Sequence, residues 1–226
     1  MHLLLIRHAQ TPSNVLGLLD SGTPGPDLTE LGERQAAAIP GVLSGRPVTS
    51  IQASTMVRTQ QTARPLAEER GLNVSIHDGL KEIEAGDVEM RSDLPSLRSY
   101  LGVIWSWATG DLSPRMPGAQ NGVEFFDRFD AVVDEVMARG EELPVIVSHG
   151  ASIRVWAGLR CDNVGPSFGA DTELHNTGTV LVDRTSAGWQ LLEWHEDPLG
   201  GPQLGGKSGP DPTGETVAEA EEHASS

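Results

Sequence analysis

The chain has 226 residues, a single cysteine and a formal net charge of −16 at neutral pH. Such an acidic excess argues against nucleic acid or an anionic membrane as the main partner, because both need a basic footprint. Lone Cys161 excludes an internal disulfide framework, no basic and apolar leader opens the sequence, and no apolar stretch approaches the ~20 residues of a membrane span, so a cytoplasmic protein is expected.

Strand and helix signals alternate, the pattern of an α/β chain. The apolar run Leu3-Leu4-Leu5-Ile6 reads as a buried strand that ends in Arg7-His8. A glycine- and proline-rich loop follows over 17–27. Thr29 then caps a helix whose first turn carries Glu30 and Glu33, where the dipole favours acids, and Pro40-Gly41 is expected to break or kink it. Residues 48–53 form a second strand, 56–70 a helix closed by Gly71, and 74–76 a short third strand. The stretch 90–121 reads as irregular, with Trp105 and Trp107 on a short helix. A long helix is predicted over 122–139, with Val123, Phe126, Phe129, Val133, Val136 and Met137 on one face. The run Val145-Ile146-Val147 is a strand ending in Ser148-His149-Gly150, followed by a helix over about 151–158. Late strands at 179–182 and 189–194 form a hairpin around Ser186-Ala187-Gly188. From Asp197 onward Gly, Pro, Ser, Thr and acids dominate, so 197–226 is expected to be a disordered tail and 1–196 the folded domain.

Ligands in open α/β sheets gather beyond the carboxyl ends of the strands. Four segments are delivered to that edge: Arg7 to Asn14, Ser54 to Ala63, Leu80 to Gly86, and Ser148-His149-Gly150. Together they bring two arginines, two histidines and a carboxyl group. Guanidinium forks and imidazoles suit phosphate chemistry. Arg58 falls in the first turn of a helix, whose free N–H groups already favour an anion. No His/Cys/Asp spacing resembles a zinc site, so no metal and no cofactor are expected.

These segments resemble the histidine phosphatase superfamily, the phosphoglycerate-mutase-like family. Its opening R-H-G-(E/Q)-(S/T)-x-x-N is similar to Arg7 through Asn14. The likeness continues through Asp27 to Ala36, similar to p-L-T-x-x-G-x-x-Q-A, through Ser54 to Ala63 with Arg58, through L-x-E-x-x-x-G at Leu80 to Gly86, and through the late S-H-G. The resemblance implies a three-layer αβα sandwich with a mostly parallel central sheet. It implies His8 as the nucleophile, Arg7, Arg58 and His149 as clamps on the phosphoryl oxygens, Asn14 as a further phosphate contact, and Glu82 as the proton donor that later activates water. The activity implied is that of a metal-independent phosphomonoesterase acting on a small phosphorylated metabolite through a phosphohistidine.

The chain departs from the family pattern in places. Ala9 stands where glycine is usual, which is excluded if that position needs a positive φ. Lys81 replaces an arginine and loses its fork. Residues 86–90 and 118–121 lack the family's tryptophan and G-G-E-S-like signatures. Two other functions compete: a mutase, which needs extra basic residues after the acid motif, and an inactive phosphate- or phosphoprotein-binding module. Glu84 and Glu89 compete with Glu82 for the acid role.

Overall fold

The computed structural model describes residues 1–206 and 211–223. Six strands, β1 (His2–Arg7), β2 (Val48–Ser54), β3 (Val74–His77), β4 (Leu143–Ser148), β5 (Thr179–Arg184) and β6 (Trp189–His195), form one sheet in the order β3-β2-β4-β1-β5-β6. The first four in chain order run parallel, and β5 and β6 add an antiparallel edge beside β1. The helices are α1 (Pro12–Leu16), α2 (Glu30–Val42), α3 (Val57–Arg70), α4 (Leu94–Ala108), α5 (Gly122–Ala138), α6 (Gly150–Arg160), α7 (Phe168–Asp171) and α8 (Val217–His223).

Side chains on a strand alternate between faces, and β1 uses both. Leu4 and Ile6 pack with Ile51, Val145 and Val147 beneath Ile39 of α2, Leu43 just past its end, and Ala63 and Leu66 of α3. Leu3 and Leu5 pack on the opposite face, with Ile146, Val180 and Val182 under α4, α5 and α6. The sheet is therefore the middle of three layers. The two middle strands, β1 and β4, carry apolar runs without alternation, Leu3 to Ile6 and Val145 to Val147, because neither face meets water.

Several elements differ from the sequence reading. Pro40 lies inside α2, within its last turn, and the helix ends two residues later at Val42, close to the expected break. The stretch expected to be irregular contains the full helix α4. Its buried stripe, Leu97, Tyr100, Leu101, Ile104, Trp107 and Ala108, has helical spacing, and Asp93 caps it by accepting from the Ser96 N–H. Gly102 and Pro95 obscured that signal. Val123 is exposed, and the buried face of α5 runs instead through Phe125, Phe126, Phe129, Val132, Val133, Val136 and Met137. The segment from 197 was expected to be unstructured, yet Leu204 packs near Gln35, whose Nε2 donates to the Leu204 carbonyl, and α8 buries Ala220 in the main core. Residues 207–210 and 224–226 of that tail lie outside the described residues. No helix among the described residues is long and apolar enough to cross a membrane.

Candidate active site

β1 and β4 pair in parallel with Arg7 opposite Ser148, so the residues that follow, His8 and His149, emerge side by side. The His8 N–H donates to the Ser148 carbonyl at 2.9 Å, and the two imidazoles meet edge-on with centroids 5.2 Å apart. His8 Nδ1 is 2.8 Å from the carbonyl oxygen of Ala9. A carbonyl only accepts, so Nδ1 carries the proton and Nε2 keeps a free lone pair. Ala9 has ordinary backbone geometry, since the non-glycine residues with positive φ are Met90 and Thr177 among those described.

His8 lines a cavity of about 20 Å3 with Thr11, Ser13, Asn14, Leu18, Asp20, Arg58, Glu82 and Thr213. Arg58 reaches it from the first turn of α3. Its Nη2 donates to the Asp20 carbonyl at 2.8 Å and its Nη1 stands 3.8 Å from the Asp20 carboxylate. Gly25, at φ +72°, permits this, because a Cβ there would sit 2.5 Å from Nη1. Asn14 is the third residue of α1, and its Oδ1 accepts from Thr11 in a capping box. Only its Nδ2 is left to face other groups, so the turn-capping role and a place on the cavity wall coexist.

Glu82 is held by the start of α6. Its Oε1 accepts from the N–H groups of Ile83 and Ser152 and lies 2.8 Å from Ser152 Oγ, while Oε2 accepts from the Ala151 N–H at 3.1 Å. The dipole and free N–H groups of a helix start suit a carboxylate. Oε2, with one bond, has the spare lone pair. The competing acids are engaged elsewhere: Glu89 fixes the loop at Ser21 and Gly22, and Glu84 is half-buried near Lys81. Lys81 itself pairs with Asp78 at 3.2 Å and does not line the cavity.

Arg7 and His149 stand behind this wall, both fully buried. Arg7 Nη1 donates to the Leu174 carbonyl at 2.7 Å, and its Nη2 pairs with Asp211 at 2.6 Å. His149 Nε2 is 2.9 Å from Ser54 Oγ. Arg7 Nε, Arg58 Nε and Nη1, and His149 Nδ1 are buried with no hydrogen-bond partner among the described residues. A buried polar group left without a bond costs about 1–3 kcal/mol. Four in one neighbourhood therefore fit an anionic ligand with several acceptor oxygens.

Two residues that fix these groups carry no mark in the sequence motifs. Arg128 of α5 donates to the carbonyls of Gly79, Lys81 and Glu82, pinning the loop that presents Glu82. Asn176 Nδ2 donates to the His8 carbonyl at 3.0 Å. The signal available for Arg128 was its place one turn after Phe125, on the buried side of α5.

Burial, then the charges of Arg58 and Arg7, hold His8 well below the usual imidazole value of 6.5, against the Ala9 hydrogen bond that raises it. Burial and then Arg58 depress His149 in the same direction. Both rings are thus neutral in the native state and take up protons near pH 6.5 only on unfolding. Below that value the unfolded chain binds more protons, so this contribution is complete above about pH 6.5 and is lost as pH falls toward the depressed native values. Two such groups add up to about 2.7 kcal/mol of stability per pH unit. The urea midpoint is expected to drop between about pH 7 and pH 5, more steeply in the wild type than in His149→Ala. Equal slopes in the two proteins would contradict this.

A family model described as the histidine phosphatase superfamily, branch 1, matches residues 3–197. The PE-PGRS family protein PE_PGRS11 of Mycobacterium tuberculosis is 34% identical over 216 residues, covering 86% of this chain and 36% of that protein, so the chain spans about a third of that relative. The glucosyl-3-phosphoglycerate phosphatase of Mycolicibacterium vanbaalenii is 31% identical over 209 residues, covering 86% of this chain and 92% of the relative. In fold, the chain is similar to a solved mycobacterial glucosyl-3-phosphoglycerate phosphatase in complex with VO3, with a TM-score of 0.71 at 24% identity, over 87% of this chain and 99% of that one.

Proposed function

The chain belongs to the histidine phosphatase superfamily, branch 1, and we propose that it is a metal-independent phosphomonoesterase that works through a phosphohistidine at His8. The observation that carries this reading is the set of unpartnered buried donors on Arg7, Arg58 and His149 beside a neutral His8 with a free Nε2.

In the first step the Nε2 lone pair attacks phosphorus, the bond from phosphorus to the ester oxygen breaks, and the departing oxygen takes a proton from Glu82. In the second, water attacks the phosphohistidine, Glu82 takes the water's proton, the N–P bond breaks and inorganic phosphate leaves. Phosphoryl transfer demands positioning and charge stabilisation above all. Arg58, Arg7 and the Nδ1 of His149 supply it, with Ser54 Oγ donating to His149 Nε2 so that Nδ1 carries the hydrogen. Asn14 Nδ2 adds a further donor.

Hydrolysis is favoured over a mutase reaction. A mutase must bind the substrate carboxylate and exclude water. Arg91 and Arg115, in the segment where that basic site would lie, are exposed and paired with Asp93 and Glu124. The joint presence of His8 and Glu82 on one wall favours catalysis over a silent binding module. The named substrate of the Mycolicibacterium relative supports a small phosphorylated metabolite as substrate. The single buried cysteine, its thiol pushed up to about 12 by burial, supports a reducing, cytoplasmic setting.

The test is a panel of phosphorylated metabolites assayed for free phosphate, with 3-phosphoglycerate followed for isomerisation as well. Phosphate release unaffected by EDTA and inhibited by vanadate is expected. Efficient isomerisation with little phosphate would establish a mutase, and vanadate binding without any hydrolysis would establish a binding module. Activity lost to EDTA and restored by a divalent ion would overturn the metal-independent mechanism.

A further inference from the structure

The tail end of the chain reaches the residues assigned to phosphate. Asp211 Oδ2 accepts from Arg7 Nη2 at 2.6 Å, and the same Nη2 donates to Thr213 Oγ1 at 3.0 Å. Asp211 Oδ1 lies 3.5 Å from Asn14 Nδ2 and accepts from Thr213 Oγ1 at 3.2 Å. Arg7 is completely buried and Asp211 is 4% exposed. A carboxylate thus bonds one nitrogen of the guanidinium, and stands beside the amide, that the proposed mechanism gives to phosphoryl oxygens, while Arg7 Nε stays unpartnered.

The contact is shaped to be close. A Cβ at Gly214 would stand 1.9 Å from Arg7 Nη1, and one at Gly150 would stand 2.5 Å from the Thr213 carbonyl. The Thr213 carbonyl accepts from Arg154 Nη1 at 3.0 Å, and the Gly214 carbonyl from the Leu174 N–H at 2.8 Å. Beyond this turn, Thr216 caps α8 by accepting from the Glu219 N–H, and Ala220 is buried in the core. The polar end therefore rests on a few hydrogen bonds, while Val217 and Ala220 of α8 anchor the segment to the core.

Two observations make this contact and a bound phosphoryl group mutually exclusive. Carboxylate and phosphate are both anions, and both cannot hold one buried guanidinium edge without repulsion. Thr213 also forms part of the wall of the cavity beside His8 and Arg58, so the seated segment narrows the space a phosphoryl group would enter. Resting on the phosphatase reading above, we propose that Asp211–Gly214 is an intramolecular competitor for the phosphate subsite: an autoinhibitory strap that an incoming phosphoester must displace from Arg7.

The strap predicts two readouts on the full chain, neither of which needs turnover. Inorganic phosphate is expected to bind about tenfold more tightly to Asp211→Asn and Asp211→Ala, the gain for a strap seated nine-tenths of the time. In the wild type, saturating inorganic phosphate is expected to speed hydrogen exchange at the amides of Gly214 and Glu215, both now bonded to the Asp211 carbonyl, while the β1 amides stay protected. Phosphate binding that is unchanged or weaker in both variants overturns the proposal, and so does greater protection of Gly214 in phosphate, which would make the segment a fixed wall of the site. Tighter phosphate binding and faster exchange without hydrolysis of any phosphoester would leave the strap standing and sink the phosphatase reading. Hydrolysis through His8 with Gly214 still protected would do the reverse.

Discussion

His8→Ala is expected to lower kcat by about 10^4-fold or more while leaving the chain folded, because removing a nucleophile leaves only the surrounding electrostatics to act on water. The rest of the constellation is not expected to compensate: in the proposed mechanism Arg58, Arg7 and His149 polarise phosphorus, and none offers a neutral, unshared nitrogen in His8's place. The fold should tolerate the change, since the imidazole donates one hydrogen bond, to its neighbour Ala9, and packs edge-on against His149. Circular dichroism and a urea midpoint close to wild type, together with loss of the acid-quenched phosphoenzyme formed from labelled substrate, would complete the result. Phosphoenzyme persisting in His8→Ala would move the nucleophile elsewhere.

Glu82→Gln should show an effect that depends on the leaving group. A proton donor contributes about 10^2–10^4-fold when the departing oxygen needs the proton. Alkyl phosphates are therefore expected to lose that much in kcat, and p-nitrophenyl phosphate, whose phenolate leaves unaided, far less in the first step. The amide also removes an acceptor from the start of α6: one of its two ends brings N–H against the backbone N–H groups of Ala151 and Ser152. Some displacement follows, so a Glu82→Asp control separates lost acidity from lost position. Equal losses on both substrate types would mark Glu82 as a positioning group alone. Ser152, which shares the carboxylate, would then be the partner to test next.

The site's skeleton was legible in the sequence because its parts sit at the ends of parallel strands. A strand that is apolar throughout can only be central, and a polar residue just past its end can only face the ligand edge. That places Arg7, His8 and His149 without any knowledge of contacts. What was hidden has two physical causes. The helix α4 carries Pro95 in its first turn and Gly102 in its middle, so local propensity spoke against a periodicity that tertiary packing rewards. The tail segment was opaque for a different reason. Composition measures how much apolar surface a segment can bury, and it is blind to a single carboxylate finding a buried arginine at the other end of the chain. Asp211 with Arg7 is such a pair. The same holds for Arg128, whose value lies in three carbonyls of one loop.

The parallel pairing of β1 with β4 also determines when the protein acquires its chemistry. Arg7 lies opposite Ser148, with the whole of β2, β3, α4 and α5 threaded between them. Contacts between such distant stretches are slow to form, because loop closure must precede them. A chain as far as α5 holds His8, Arg58 and Glu82 but neither His149 nor the start of α6 that grips the carboxylate. Competence is therefore expected only once β4 has paired between β1 and β2. Recovery of phosphatase activity after dilution from denaturant is therefore a clock for sheet closure, separate from the earlier return of helical signal.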